Sequence, residues 1–573
     1  MKKIFLLLAA LTVCAAAWAV PAMPGYRTYR QADGSSIDLQ LVGDEYNHSF
    51  VTRDGLTVER GLDGAFYYIT ASGLSKVMAH NQDDRSGDEL SWVSANRGNL
   101  NLAALMTPQK KQRVKAAMAA QKTVAFTPTS GTPKFPVLLA NFSDVSFTHS
   151  AAEIQEALLS GAKSVSQYFS DMSGGQYVPQ FDVYGVYPLP NNRKYYGGSN
   201  AAGTDERPGT MTKDVLNLAT DVDFTQYDND NDGYVDAVIV IYAGVGQAQS
   251  ALAEAVWPLQ ALMSETYGSY SIDGKRVERF AVFNELNLDG STGQIDGIGT
   301  FCHEFSHTLG LADYYPTATY QYGVDPYGMG TWSLMDMGCY NDNTYTPIGY
   351  GAYEKSFLGW MSLTEPVPNT KYTLPVFNAG NDRAVKVTYD GGGNGNEYIV
   401  LEYRAKQGWD AFIKDEGVLA THVTYYKAYF DANEVNVYGD AQMMTIFPAD
   451  NDASDNTETT DLYGETNHEL TDSSSPAAIG IWGGTNGYFG KPITEINLNS
   501  NGTASFWYIK GEQTGNEDIN DDGSWSMADV TTLIAYVLGN NPSPCLEANC
   551  DVNGDGNVSM ADVTTLIAQI LGN

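Results

Sequence analysis

Basic residues and cysteine are scarce in this chain. Lys and Arg number 33 against 68 Asp and Glu, a net charge of −35. A surface of that sign repels nucleic acid and anionic membranes, so neither is an expected partner. Long apolar runs are also missing beyond the N-terminus. No later segment approaches the ~20 apolar residues that span a bilayer. The N-terminus itself reads as an export leader: Met1-Lys2-Lys3 is the charged part, Ile4 to Ala17 the apolar part, and Ala17-Trp18-Ala19 a small-x-small cleavage site. Cleavage is expected after Ala19. Val13 is too large for a good lipobox before Cys14, so a lipid anchor is the lesser reading. The mature chain is expected to be soluble, and secreted or held at the cell surface. Of the five cysteines, four remain after the leader. Cys545 and Cys550 are close enough in sequence to form a local disulfide. Cys302 and Cys339 either pair or stay as two buried thiols.

What is present centres on residues 303–313, His-Glu-Phe-Ser-His-Thr-Leu-Gly-Leu-Ala-Asp. Histidines four apart on a helix project from one face, so His303 and His307 can share one Zn²⁺. Glu304 follows the first histidine and can act as general base on a metal-activated water. Gly310 frees the backbone to leave the helix, which brings Asp313 back as third ligand. Three protein ligands leave the fourth position open, as catalysis requires. An HExxH string alone arises in ordinary amphipathic helices. The added Gly and Asp, in a chain with only seven histidines, make it specific. Phe305, Leu309 and Leu311 are the expected packing side.

HEFSHTLGLADYY resembles the immune inhibitor A family of secreted zinc metallopeptidases, a metzincin-like group. So do Trp332-Ser333-Leu334-Met335, Leu358-Gly359-Trp360, the stretch 225–244 and Val256-Trp257-Pro258. Together these cover about residues 135–510. The resemblance implies a Met-turn with Met335 beneath the zinc. Astacin and serralysin relatives carry a tyrosine two residues after that methionine. Here the position is Met337, so no tyrosine switch is expected, and Tyr340 is given no role.

The expected architecture is multidomain α+β. It comprises a signal peptide (1–19), a β-rich propeptide or N-terminal domain (20–130) and a metzincin-like α/β catalytic domain (131–364). A β-rich domain packed on the catalytic one (365–510) and a small all-α calcium-loop module (511–573) follow. Strands are read at Gly43–Tyr46, Phe50–Thr52, Leu56–Val58 and Ala65–Ile69, with turns at Asp54-Gly55 and Asp63-Gly64. The N-terminal domain has no cysteine, so latency there cannot use a thiolate; an Asp, a Glu or His48 is left to cap the metal. The basic residues Lys110, Lys111, Arg113 and Lys122 precede a Thr/Pro/Ser/Gly stretch (127–133) suited to activation cleavage. A buried strand is expected at 136–140, a helix at 151–172, strands near 180–188 and 235–243, and the zinc helix from about Ile298. The loop Tyr314–Gly330 is expected to wall the cleft. His80 and His422 are read as core or surface residues, and His468, in a polar loop, is given no role.

Asp228, Asp230, Asp232 and Asp236 alternate around Gly233, a spacing that suits calcium, with a run of Asx turns as the lesser reading. The last residues hold a repeat. Asp518, Asn520, Asp522, Ser524 and Asp529 form one calcium loop, and Asp551, Asn553, Asp555, Asn557 and Asp562 the second, with Asp at position 12 of each. Each runs into Val-Thr-Thr-Leu-Ile-Ala. This resembles a dockerin, which implies two calcium ions and a cohesin-like scaffold partner. The repeated Thr531, Thr532, Thr564 and Thr565 are exposed positions that calcium does not require. The combined expectation is a secreted zinc endopeptidase made as a zymogen and acting on extracellular proteins. The alternatives are a catalytically silent, scaffold-docked binding protein or a zinc amidase on non-peptide substrates.

Overall fold

The computed structural model describes residues 17–571 except 46–47, 62, 71–72, 98–99, 101–125, 199–206, 318–326, 392–394, 437–440, 453–457, 482–486, 511–517, 523–525, 546 and 554. The expected cleavage region before residue 126, Ser524 and most of the loop after Tyr314 therefore lie outside the described residues. Two compact units result, one ending at Tyr508 and one beginning at Ile509.

In the first unit, strands Arg27–Arg30, Ser36–Gly43, His48–Thr52, Thr57–Arg60, Phe66–Thr70 and Gly73–Met78 pair antiparallel in chain order. Alternation drives this: over Ser36–Gly43 every second residue is buried. Ile37, Leu39, Val58, Phe66 and Tyr68 form a core with Val93 of helix Gly87–Asn96. The strand expected over Gly43–Tyr46 does not extend to Asp44 and Glu45. The sheet strand ends at Gly43, and Asp44 and Glu45 leave it, both buried.

The next sheet orders its strands 17–19, 259–262, 279–286, 238–245, 134–141 and 180–188. The last four are parallel, while Leu259–Leu262 runs antiparallel and Ala17–Ala19 adds antiparallel beyond it. The parallel strand Val238–Val245 is buried along its whole length, as its unbroken apolar run demands. The helix expected at 151–172 is two pieces, a wide-turned segment ending at Ser160 and a helix Val165–Met172. Gly161 separates them in extended backbone, and Ser164 caps the second by accepting from Gln167 N.

Downstream lie a three-stranded sheet (370–375, 503–508, 493–499) and a four-stranded one (385–388, 397–404, 417–424, 444–446), both antiparallel. One continuous core joins Val137, Phe305 and Met335 to Val400, Leu419 and Met444. The stretch after 364 is thus built into the same core as the site.

The second unit holds helices Met527–Val537 and Met560–Leu571 around Ile519, Val530, Leu533, Cys550, Val563 and Leu566. Cys545 and Cys550, the expected disulfide pair, stand as free thiols with sulfurs 3.9 Å apart on either side of the short turn Glu547–Asn549. Cys302 and Cys339 are likewise free and buried.

Candidate metal centre

Helix Gly299–Thr308 is buried throughout. On one side Phe301 stacks on Phe283 at 4.3 Å and Phe305 meets Phe135 edge-on at 4.9 Å. Gly299 lets the turn at Cys339 approach so closely that a Cβ there would lie 1.9 Å from its carbonyl oxygen. The opposite face carries His303 and His307, ring centroids 4.8 Å apart and nearly perpendicular. His303 Nδ1 is 2.7 Å from Leu334 O and His307 Nδ1 is 2.7 Å from Leu311 O. Those carbonyls fix the Nδ1–H tautomer and turn both Nε2 atoms inward. Gly310, at φ +103°, reverses the chain against Phe126, and Asp313 Oδ1 arrives 3.0 Å from His303 Nε2 and 3.2 Å from His307 Nε2. The three donor atoms lie within 4.8 Å of one another. Two neutral imidazoles and one carboxylate so placed fit a tetrahedral zinc.

The electrostatics agree with that fit. Burial opposes charge on Asp313, yet the two imidazoles hold its carboxyl well below the usual range. Burial lowers the basicity of His307, favouring the neutral, ligating form. Glu304 is fully buried, and burial, then the Asp313 charge, push its carboxyl well up. Its Oε2 has no hydrogen-bond partner among the described residues. A bound cation would offset both effects.

Residues 137–361 match the family description "Immune inhibitor A peptidase M6, catalytic domain", and residues 516–571 match "Dockerin type I domain". The chain carries an M6 peptidase domain and a dockerin module. It is 26% identical over 247 residues to "Immune inhibitor A" of Bacillus thuringiensis subsp. alesti, covering 36% of this chain and 35% of that protein. It is 28% identical over 223 residues to "Pre-pro-metalloprotease PrtV" of Vibrio cholerae serotype O1 (strain M66-2), covering 34% of this chain and 23% of that one. The match therefore spans about a third of the first relative and a quarter of the second.

In the peptidase domain, residues 333–336 reach His303 through Leu334. Leu334 supplies the carbonyl that holds it, and Met335 is wholly buried. Ser333 Oγ accepts from Met335 N and donates to the buried Glu354.

A stretch of chain crosses this centre. Ala17, Trp18 and Ala19 pair with Ala261, Gln260 and Leu259. Val20 N then donates to Glu304 Oε1 at 2.5 Å, Trp257 Nε1 donates to Val20 O at 2.9 Å, and Tyr340 Oη donates to Pro21 O at 2.5 Å. Ala22 N bonds Gly43 O, tying the stretch to the N-terminal sheet. Behind it Glu45 is buried near Asp44, Asp313 and Glu304. Burial first, then those charges, push its carboxyl well up. His48 stacks on Trp257 at 5.0 Å instead of entering the centre. Trp257 and Tyr340 were not legible as cleft residues, because their partners are backbone carbonyls 237 and 319 positions away.

Asp228, Asp230 and Asp232 also gather within 4.8 Å, with Lys275 Nζ 2.5 Å from Asp228. Asp236 instead accepts from Asn229, N at 2.8 Å and Nδ2 at 2.5 Å. In the dockerin module the two loops wrap alike. Asp522 N bonds Asp518 and Asn520, as Asp555 N bonds Asp551 and Asn553. Asp529 and Asp562 each accept backbone N–H groups of their own loop. Asn557 N bonds Asp555. Among the described residues the carboxylates of these loops are not drawn together as those of 228–232 are.

Proposed function

We propose that this chain is an exported zinc endopeptidase, made as a zymogen and carried on a calcium-dependent dockerin that meets a cohesin-like scaffold. The observation that carries the peptidase reading is the stretch at the site. An extended peptide lies antiparallel on the edge strand Leu259–Leu262 and delivers a backbone nitrogen to Glu304. That is the pose a protein substrate needs, and it favours peptide bonds over non-peptide amides.

His303, His307 and Asp313 would hold the zinc. When bound, it would polarise the scissile carbonyl and lower the pKa of the attacking water. Glu304 takes that water's proton and passes it to the leaving amine, the place now held by Val20 N. Its raised pKa, from burial and the Asp313 charge, suits a group that must give the proton back. The same stretch supports latency: with Val20–Ala22 seated, Glu304 is occupied. Cleavage of the leader after Ala19 removes the edge-pairing residues but leaves the contacts of Val20 and Pro21. The leader pattern supports export, and no helix among the described residues is long and apolar enough to cross a membrane. Turnover of a fluorogenic peptide that is lost with a chelator and restored by Zn²⁺ tests the reading; turnover indifferent to metal would refute it.

The dockerin loops are proposed to bind two calcium ions. A module of ~55 residues buries little core alone. Calcium removal is therefore expected to unfold residues 518–571 while the first unit stays folded, read by limited proteolysis. Protection of the module in excess chelator would contradict this.

A third calcium is proposed at Asp228, Asp230 and Asp232, with Asp236 beside them. Burial, opposed by the Asn229 hydrogen bonds, leaves the Asp236 carboxyl pushed up to about 6. A carboxyl with a raised folded-state pKa keeps its proton longer in the folded state, so without metal stability falls as pH rises from about 4 to 6. Calcium favours the ionised form. The rise in the melting temperature of the first unit on adding calcium is thus expected to be larger at pH 7 than at pH 5; an equal or reversed rise counts against the site.

A further inference from the structure

Asn433 lies 120 residues after Asp313 and beyond the stretch that matches the peptidase family, 137–361. It is 1% exposed and grips Asp313 twice. Asn433 Oδ1 accepts from Asp313 N at 2.7 Å, and Asn433 Nδ2 donates to Asp313 Oδ2 at 2.5 Å. The residue stands at φ +53°, a left-handed conformation that asparagine tolerates better than most. Its own N–H bonds Phe430 O, and its carbonyl accepts from Thr317 Oγ1 at 3.2 Å. Asn436 lashes the same turn in place: its Nδ2 donates to Tyr314 O and Met444 O, and its Oδ1 accepts from Met443 N and Met444 N.

The two oxygens of Asp313 therefore have different neighbours. Oδ1 faces both histidines, and Oδ2 is held by Asn433. We infer that Asn433 is a positioning residue that restricts Asp313 to one-oxygen ligation of the zinc, so that a fourth position stays open. This rests on the zinc reading proposed above. A carboxylate released from Nδ2 can rotate, offering both oxygens to the metal or turning Oδ1 away from the imidazoles. Hydrogen-bond partners behind metal ligands typically change affinity by about 10–100-fold. On this account the β-rich stretch completes the metal site as well as packing against it.

The test uses the full-length chain carrying Glu304→Ala, so that self-cleavage does not interfere. Zinc affinity is measured by competition with a chromophoric chelator, and the Co²⁺-substituted protein by visible absorption. Asn433→Ala is expected to weaken zinc binding by about 10–100-fold and to dim the cobalt bands as coordination rises above four. Asn433→Asp keeps the size but loses the donor, and is expected to act in the same direction. Asn436→Ala loosens the same turn without touching the carboxylate; it is expected to lower the melting temperature and to weaken zinc binding clearly less than either Asn433 variant. Wild-type affinity and spectrum in both Asn433 variants would overturn the inference, as would equal weakening by Asn436→Ala. A parent protein that binds no zinc at all would instead sink the zinc reading, and this inference with it.

Discussion

Glu304→Ala is expected to leave one zinc per chain and to lower peptide hydrolysis by roughly 10²–10⁴-fold, the usual share of a general acid–base residue. Glu304 stands outside the cluster of possible ligand atoms, which belong to His303, His307 and Asp313, while its Oε1 faces a peptide nitrogen. Removing the carboxylate relieves a buried group whose ionised form is opposed by burial and by Asp313, so the fold is expected to survive. Zinc content by elemental analysis and turnover of a quenched fluorescent peptide, measured on one preparation, separate the two roles. Loss of zinc together with activity would make Glu304 a structural part of the site. Wild-type turnover would remove it from the mechanism.

The second large effect concerns latency. A tethered segment acts at an effective concentration on the order of mM. If the free segment bound its cleft with a dissociation constant on the order of μM, it would be seated about a thousand times out of a thousand and one. The unprocessed chain is therefore expected to turn over peptide about 10³-fold more slowly than chain cut between residues 106 and 134 and freed of its N-terminal domain. The contacts that hold the segment are the Glu304, Trp257 and Tyr340 bonds to Val20 and Pro21 and the tie from Ala22 to Gly43. Trp257→Phe removes one donor while keeping an aromatic ring, and is expected to raise the residual activity of the uncut chain. Equal rates before and after cleavage would end the latency account.

The gathering of His303, His307 and Asp313 was legible because it is local. His303 and His307 follow from helical spacing, and Asp313 from the glycine that ends the helix, all within eleven consecutive positions. The strands legible in sequence were those with alternating or unbroken apolar character, such as Ser36–Gly43 and Val238–Val245. The misses share one physical cause, which is long-range contact. Nothing near Asn433 marks it as a partner of Asp313. Tyr340 had no readable role, because its hydroxyl meets a carbonyl 319 residues earlier. Asp44 and Glu45 fell within a span read as strand, although the sheet strand ends at Gly43 and Glu45 is buried near Asp313 and Glu304. The closeness of Cys545 and Cys550 was legible from their spacing, and their sulfurs lie 3.9 Å apart. The calcium reading of 228–236 gathered three of its four carboxylates, since Asn229 claims the fourth.

The most direct measurement is metal analysis of purified active protein beside its His307→Ala variant. The account predicts one tightly held zinc per chain at this centre in the parent, and loss of both that zinc and peptide hydrolysis in the variant. Full activity in material free of zinc, or an active variant that has lost the metal, would contradict it.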